Sequence, residues 1–282
     1  MDLGTTQIHV VTDGTLLIDG GTIFGAISRS QWELHIKPDR GNRIRLALNC
    51  MLVQTPKMNI LVDTGAGDKR LDLLKEEIGL NGNKLLKKLH ALGLTPRDIG
   101  IVILTSLQFD HCGGATKFDR FGNSVPTFPK ATYWVQRACW QDALNPNERT
   151  AHRFHLDDFL PLEEKGVLEF LDEEDEIIEG LNVKMVGGPS AGHQIVTVAR
   201  GGEKVVFASD LIPTRYHVPL QWIPSLDSFP NETLEEKRKL LDMIVDGGWI
   251  VIFGHGQDIK AGHVERQGDH LRVLPVELEY KE

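Results

Sequence analysis

Four short polar clusters, each directly after an apolar stretch, carry the residues of this sequence best suited to chemistry. They are Asp63-Thr64-Gly65, Asp110-His111-Cys112-Gly113-Gly114, Asp210-Leu211-Ile212-Pro213-Thr214 and Gly254-His255-Gly256. Carboxylates and imidazoles that gather at the ends of separate strands typically form a metal centre or an acid–base site on a rigid scaffold. We therefore expect these clusters to meet in one functional site.

The four candidate metal ligands in these clusters are Asp110, His111, Asp210 and His255. Two carboxylates that share a cleft raise each other's pKa unless a positive charge lies between them. A divalent ion would supply that charge, and so would protonated imidazoles in a metal-free His–Asp network. As a metal site, this set suits one four-coordinate ion, with zinc expected and iron or manganese as alternatives.

The clusters need strands that end close together, and the apolar stretches before them predict strands at 59–63, 101–104, 205–208 and 249–253. Residues 8–18, 43–54, 132–135, 183–186 and 194–199 are predicted as further strands, and residues 84–92, 138–144, 151–160 and 233–245 as helices. Strands in both halves of the chain, with helices after them, predict an α/β (α+β) protein. Its two mixed β-sheets would pack face to face between outer helices.

Three local patterns give more specific predictions. Thr233 and Glu236 have the spacing of a capping box, which predicts that the last helix begins there. The acidic run at 172–176 is predicted as a solvated turn, because apolar residues follow it at once. His152 and His155 would share one face of a helix, and such a pair is typically a surface or core feature.

Length and composition favour a single globular domain over residues 1–282, of which 41% are hydrophobic and 25% charged. No apolar run is long enough to span a membrane, and the net charge of −9 disfavours a nucleic-acid partner. The N-terminus lacks the pattern of an export signal, and Cys50, Cys112 and Cys139 are widely spaced. We therefore expect a cytoplasmic protein with reduced thiols and a small-molecule partner, while the oligomeric state stays open.

In order and spacing, the clusters resemble the metallo-β-lactamase superfamily. The resemblance rests on the four clusters, on Leu61-Val62 before the first, and on Gly192-His193-Gln194. Residues 19–25 and 46–50 resemble the branch of that family with lactonase-like enzymes. The family has a four-layer αβ/βα sandwich with a site at one edge, which we expect here. The resemblance further implies that Asp63 buttresses the site and that His193 has a supporting or packing role.

Three positions depart from the family pattern. Its members carry His-x-His-x-Asp-His after the second strand, whereas this chain has Ser106 and Gln108 at the two leading positions. Pro189 stands where the family has a lone histidine. A hydroxyl and an amide oxygen are poor zinc ligands, and proline has no donor atom in its side chain. All three departures fall on one of the two metal positions of the family, so the resemblance implies at most one metal.

The chemistry that these residues favour is hydrolysis of a small ester, lactone, thioester or amide. A single metal would activate water and polarise the carbonyl, while Asp110 or Asp210 accepts the proton. Ser106 and Gln108 would then be free to hydrogen-bond a substrate. Residues that follow Asp210 line the substrate cleft in the family, and the corresponding candidates here are Tyr216, His217 and Trp222.

The competing hypothesis is a catalytically silent protein that holds a small ligand in the same cleft without metal. Retention of four ligand residues favours a metal-dependent hydrolase, whereas loss of three favours the silent binder. A nuclease is disfavoured by the acidic charge. Two-iron redox chemistry would need histidine or carboxylate at Ser106, Gln108 and Pro189.

Overall fold

The predicted strands form two seven-stranded sheets in the computed structural model, which describes residues 1–268 and 270–277. In spatial order the first sheet contains Asp2–Leu3, Thr6–Asp19, Arg43–Gln54, Asn59–Val62, Ile99–Ile103, Thr132–Gln136 and Leu168–Leu171. The second sheet contains Glu174–Ile178, Leu181–Met185, Gln194–Arg200, Glu203–Ser209, Ile250–Phe253, Ala261–Gln267 and His270–Pro275. A separate hairpin pairs Thr116–Phe118 with Ser124–Pro126.

Helices lie between the strands and on the outer faces of the sheets. The α-helices are Gly20–Phe24, Arg29–Trp32, Leu71–Ile78, Leu85–Ala91, Phe109–Cys112, Arg137–Leu144, Leu156–Glu164 and Pro230–Gly247. Short 3₁₀ turns cover Pro96–Asp98, Gly113–Ala115, Ala151–Arg153 and Arg215–His217. Within the described ranges, no helix combines the length and apolar character needed to cross a membrane.

Alternation along the strands divides the apolar residues between two faces of each sheet. Val10 belongs to the cluster between the sheets, whereas its neighbour Val11 packs under the helices of the outer face. The inner cluster includes Val10, Met51 and Val62 of the first sheet and Val196, Phe207 and Ile252 of the second. Leu85 and Leu89 cover the outer face of the first sheet. Leu240, Leu241 and Ile244 cover that of the second. The four-layer sandwich predicted from the sequence is therefore confirmed.

Both sheets are mixed, and their parallel pairs locate the functional edge. Asn59–Val62 runs parallel to Ile99–Ile103, and Glu203–Ser209 runs parallel to Ile250–Phe253. Carboxyl ends of parallel neighbours lie at the same edge of a sheet. Asn49 joins the two edges, because its side-chain amide donates to the carbonyls of Phe253 at 3.0 Å and Gly256 at 2.8 Å. The clusters that follow these strands are thereby held together.

Some elements differ from the sequence-based predictions. The acidic run is exposed as predicted, but only its first two residues form a bend, since Glu174–Ile178 forms an edge strand paired with Leu181–Met185. The last helix begins at Pro230, and the Thr233 hydroxyl donates to Asp227 at 2.6 Å instead of capping that helix. Residue 269 and residues 278–282 of the proposed single domain lie outside the described residues, so its full extent stays a prediction.

Candidate metal and substrate site

Strained backbone at two strand ends turns the chain into the site. Asp63 has φ 60° and Ser209 has φ 47°, a left-handed conformation that is uncommon for residues other than glycine. The amide of Asp63 donates to the Ile103 carbonyl at 2.9 Å, which fixes the turn after its strand. Such strain persists only where the surrounding structure enforces it, and it is concentrated at functional sites.

The two glycines after His111 allow a close approach of two loops. A Cβ atom on Gly113 would lie 2.3 Å from the Ala66 carbonyl oxygen, and one on Gly114 would lie 2.3 Å from that of Thr64. Side chains at these positions would push the loops apart. The glycines therefore keep the Phe109–Cys112 helix against the loop that follows Asp63.

His111 is oriented by a buried carboxylate. Its Nδ1 donates to Asp63 Oδ2 at 2.9 Å, because a carboxylate only accepts. The backbone amide and the hydroxyl of Thr105 also donate to Asp63, at 2.8 and 2.7 Å. This arrangement turns Nε2 of His111 toward Asp210 Oδ2, at 3.2 Å. Asp63 thus fixes both the ring orientation of His111 and the nitrogen that faces inward.

His255 is oriented in the same manner by a backbone carbonyl. Its Nδ1 donates to the Ala47 carbonyl oxygen at 2.8 Å, which fixes the proton on Nδ1. Nε2 of His255 then lies 2.9 Å from Asp210 Oδ1. The Nε2 atoms of His111 and His255 therefore converge on the two oxygens of one carboxylate.

Burial and neighbouring charges shift the pKa values of His111, His255 and Asp210 in opposite directions, and the neighbouring charges have the larger effect. Burial alone would lower the pKa of His111, but Asp210, Asp110 and Asp63 together raise it well above its usual value. Burial likewise opposes the rise in the pKa of His255, which its hydrogen bond to Asp210 produces. Burial would raise the pKa of Asp210, yet the two imidazoles hold it well below the usual range. The site therefore requires positive charge beside Asp210.

The donor set fits one divalent cation. Ligand atoms of Asp110, His111 and His255 lie within 4.8 Å of one another. Asp110 Oδ1 is buried and has no hydrogen-bond partner among residues 1–268 and 270–277. Imidazoles that donate through Nδ1 and present Nε2 are the usual form of histidine ligands, and their partners fix the ligating nitrogen. The structure thus brings together all four predicted ligands, with Asp210 contacting both imidazoles.

Ser106 and Gln108 are not among the residues that line the cavity beside Asp210, and their hydrogen bonding to a substrate stays a prediction. They are fully buried, and the Ser106 hydroxyl accepts from the Gln108 backbone amide at 3.2 Å. His193 is also fully buried, with its ring centroid 6.5 Å from that of His111. Burial lowers the pKa of His193 to about 4, so its ring is neutral. It packs against His111, in keeping with the supporting role expected for it.

The predicted cleft residues after Asp210 do not line the cavity beside it. His217 is buried, is hydrogen-bonded to the Thr214 hydroxyl at 2.8 Å and donates to the Ile23 carbonyl at 2.9 Å. Tyr216 and Trp222 line a separate cavity of about 440 Å³. The physical reason is the 3₁₀ turn at Arg215–His217, which directs His217 inward as a loop anchor. These three residues therefore do not line the cavity beside Asp210, and their contact with a substrate stays a prediction.

A cavity of about 320 Å³ opens beside the candidate ligands. Asp110, Asp210 and His255 line one part of it. Its apolar wall includes Leu16, Leu17, Ile18, Ile23, Leu46, Leu74 and Ile78. Arg153 and Asp227, both buried, also line it. Sequence reasoning missed these wall residues, because they come from segments distant in the chain and no motif marks them.

Comparisons with known proteins agree with this geometry. Residues 43–255 match the model of the metallo-beta-lactamase superfamily. An N-acyl homoserine lactonase of Bacillus thuringiensis is 24% identical over 284 residues, covering 95% of this chain and 97% of the lactonase. An N-acyl homoserine lactonase of Bacillus cereus is 25% identical over 235 residues, covering 79% of this chain and 86% of its own length.

Solved structures show the same architecture. A probable metal-dependent hydrolase from Staphylococcus aureus has a TM-score of 0.90 and 26% sequence identity, covering 98% of this chain and 99% of its own. AidC, a dizinc quorum-quenching lactonase, has a TM-score of 0.82 and 21% identity, covering 99% of this chain and 97% of its own. Because the matching family model spans well over half of its length, this chain belongs to the metallo-β-lactamase superfamily.

Proposed function

We propose that this protein is a hydrolase of small carbonyl compounds that uses one divalent metal ion, with zinc expected. Asp110, His111, Asp210 and His255 would hold the ion. One observation carries the proposal: both imidazoles donate through Nδ1 to fixed acceptors and direct Nε2 at the same carboxylate. Two independent acceptors, one a side chain and one a backbone carbonyl, thus present Nε2 of both rings to one point, as is usual for histidine metal ligands.

The relatives support a substrate with a hydrolysable carbonyl bond. N-acyl homoserine lactonases match nearly the full length of the chain, and one similar structure is a probable metal-dependent hydrolase. Lactones, esters, thioesters and amides all present a carbonyl carbon to attacking water. A lactone or ester of a small acyl compound is therefore the substrate class we favour.

The residues present support one metal, although AidC is a dizinc enzyme. Ser106 and Gln108 are buried, and Ser106 already accepts a hydrogen bond from the backbone of Gln108. Pro189 lines the cavity without a donor atom in its side chain. A second ion would thus find no imidazole at Ser106, Gln108 or Pro189, and the neutral hydroxyl and amide oxygens of the first two bind zinc poorly.

A bound divalent metal would supply Lewis acidity toward a carbonyl oxygen and toward water. The side chains of the site perform the remaining tasks. Asp110 Oδ1, buried and without a partner in the described residues, is the group we assign to accept the proton of the attacking water. Asp63 and the Ala47 carbonyl hold the two imidazoles in position. The apolar wall of the cavity excludes bulk water from the acyl group.

A silent ligand-binding protein is the second candidate, and one observation favours it. Asp210 already accepts from both imidazoles, at 3.2 and 2.9 Å, if both are protonated. The convergence could then be a closed ion-pair network without metal. This network would still leave Asp110 Oδ1 buried without a partner in the described ranges, which is why we place it second.

Elemental analysis of protein purified without chelators separates the two candidates. We expect about one equivalent of metal in the wild type and almost none in the Asp110→Asn, His255→Ala double variant. Asp72→Asn with His90→Ala is the matched control, because both residues are exposed and neither belongs to the four clusters or lines the cavity. Hydrolysis of a panel of lactones and esters should follow the metal content. A wild type with no more metal than the double variant leaves only the silent binder.

A further inference from the structure

The cavity beside the candidate metal ligands contains a buried arginine without a partner. Arg153 is only 9% exposed and lies on the cavity wall. Its guanidinium forms no hydrogen bond and no ion pair within 4.0 Å inside the described ranges 1–268 and 270–277, although its charge acts at longer range on Asp227 and His193. Arginine is rarely buried unless it is paired, since a desolvated charge without a partner is costly. A guanidinium in this position is therefore suited to a partner that enters the cavity.

The nearest carboxylate of the cavity wall does not fill that role. Asp227 is buried and accepts a hydrogen bond from the Thr233 hydroxyl at 2.6 Å, but it forms no ion pair with Arg153 in the described chain. Burial raises the pKa of Asp227 to about 7, so near neutral pH it is ionised only in part. The charge of Arg153 acts on Asp227 and lowers the pKa of that carboxyl, but burial outweighs this effect, so Asp227 compensates Arg153 only in part.

The backbone holds this arginine on a fixed turn. The Arg153 amide donates to the Thr150 carbonyl at 2.9 Å, at the end of the Ala151–Arg153 turn. Arg149, four residues earlier, donates to the carbonyl oxygens of Ser225 and Asp227, which joins this segment to the loop on the far side of the cavity. These contacts tie the segment that carries Arg153 to the loop at residues 225–227, part of which also lines the cavity.

We infer that Arg153 recognises an anionic group on the substrate, and that the substrate is an acyl compound carrying a carboxylate. The inference rests on the proposed function for the hydrolysed bond, but the anion site stands on its own contacts. The planar guanidinium fork matches the two oxygens of a carboxylate. Leu16, Leu46 and Leu74 on the apolar wall would hold the alkyl part of the same molecule.

Charge explains why this recognition needs a dedicated cation. Asp110 and Asp210 face the same cavity and would repel an anionic substrate. The positive charge of Arg153 offsets that repulsion locally, so the anionic group of the substrate would bind beside Arg153. In contrast, a neutral ester would gain nothing from Arg153. The volume of about 320 Å³ lies within the range of small-molecule sites.

Binding of matched ligands tests the inference without requiring turnover. Isothermal titration compares decanoate, decanamide and decyl phosphate on the wild type, Arg153→Gln, Arg153→Lys and the exposed control Arg120→Gln. We expect the wild type and the control to bind decanoate at least about tenfold more tightly than decanamide, which is about 1.4 kcal/mol. Arg153→Gln should lose this preference while binding decanamide as before, and Arg153→Lys should keep part of it, since it retains charge but not the fork.

Three results would overturn the inference. The first is equal binding of decanoate and decanamide by the wild type, a comparison that does not depend on whether the variants fold. A preference that persists in Arg153→Gln would place the carboxylate elsewhere, such as on the metal ligands. Tighter binding of decyl phosphate than of decanoate would contradict the carboxylate assignment. Each of these leaves the proposed hydrolase intact, whereas carboxylate binding without any hydrolysis would remove the hydrolase and retain the anion site.

Discussion

The Asp63→Asn exchange tests whether the proton on His111 decides metal binding. In the native site Asp63 accepts from the Thr105 amide, the Thr105 hydroxyl and His111 Nδ1. The backbone amide can only donate, so the amide oxygen of an asparagine must face it. The asparagine NH₂ group would then face His111 Nδ1, which must accept. The ring proton would move to Nε2, the nitrogen that faces Asp210.

The cost for metal binding follows from this change of tautomer. To offer the Nε2 lone pair, His111 must return its proton to Nδ1 and leave two buried donors facing each other. A buried donor without an acceptor costs about 1–3 kcal/mol. Zinc affinity should therefore fall by about 5- to 150-fold, a range that overlaps the 10- to 100-fold typical of lost supporting partners. The fold should persist, because the Thr105 hydroxyl can rotate to accept from the new NH₂ group.

Zinc competition with a chromophoric chelator measures the affinity, and ¹⁵N-detected spectra of the imidazole rings report the tautomer. Asp72→Asn, an exposed carboxylate in the Leu71–Ile78 helix, is the control for the same change of charge. We expect the control to bind zinc like the wild type. An Asp63→Asn protein whose zinc affinity lies within twofold of the wild type would refute the reasoning.

Further predictions concern stability and pH. Lys69 Nζ is buried in an ion pair and also donates to two backbone carbonyls, so Lys69→Met should lower the free energy of unfolding by about 3–5 kcal/mol. The unfolding entropy of a chain of this length is roughly 0.6 kcal/mol/K, so calorimetry should show a Tm lower by about 5–8 °C. The exposed Lys75→Met should change Tm by less than about 1 °C, and equal effects would contradict a role for the buried pair. Gly65 has φ 66°, and a Cβ atom added there would lie 2.2 Å from Asp13 Cβ. Gly65→Ala should therefore lower the free energy of unfolding in urea by at least about 2 kcal/mol. An unchanged urea midpoint would show that the loop relaxes around the added methyl group. Burial raises the pKa of Asp227 from 3.8 to about 7, so its contribution to stability is complete below pH 4 and is lost as pH rises through 7. Asp227→Asn lacks this loss, so its unfolding midpoint should rise relative to that of the wild type as pH increases from 4 to 8. A difference between the two midpoints that stays constant over this range would contradict the raised pKa.

The sequence allowed the four ligand clusters to be predicted because simple rules place them. Each follows an apolar strand, and strand ends of parallel neighbours share an edge. The role predicted for Asp63 came instead from the resemblance of its cluster to the metallo-β-lactamase superfamily. The hydrogen-bond partners of the four clusters could not all be found, since Ala47 contributes a backbone carbonyl from a strand more than two hundred residues away from His255. No residue type marks such an acceptor.

The substrate wall was harder to predict than the ligands. Tyr216, His217 and Trp222 follow Asp210 in sequence, but a 3₁₀ turn rotates successive side chains by about a third of a turn, which separates neighbours onto different surfaces. The Leu71–Ile78 helix supplies part of the actual wall and escaped prediction, because Leu74 is its one buried residue. A short helix with so narrow a buried face has no clear apolar period.

A count of charges cannot by itself separate the hydrolase from the silent binder. Asp63, Asp110 and Asp210 bring three negative charges to the site. Two neutral imidazoles with a divalent ion leave one negative charge, and two protonated imidazoles without metal leave the same. What differs is the proton on Nε2, which the metal-free network needs and a metal ligand must lack. The two states therefore compete for the same pair of nitrogen atoms, and we favour the metal because a cation would give the buried Asp110 Oδ1 a partner that it lacks within the described residues.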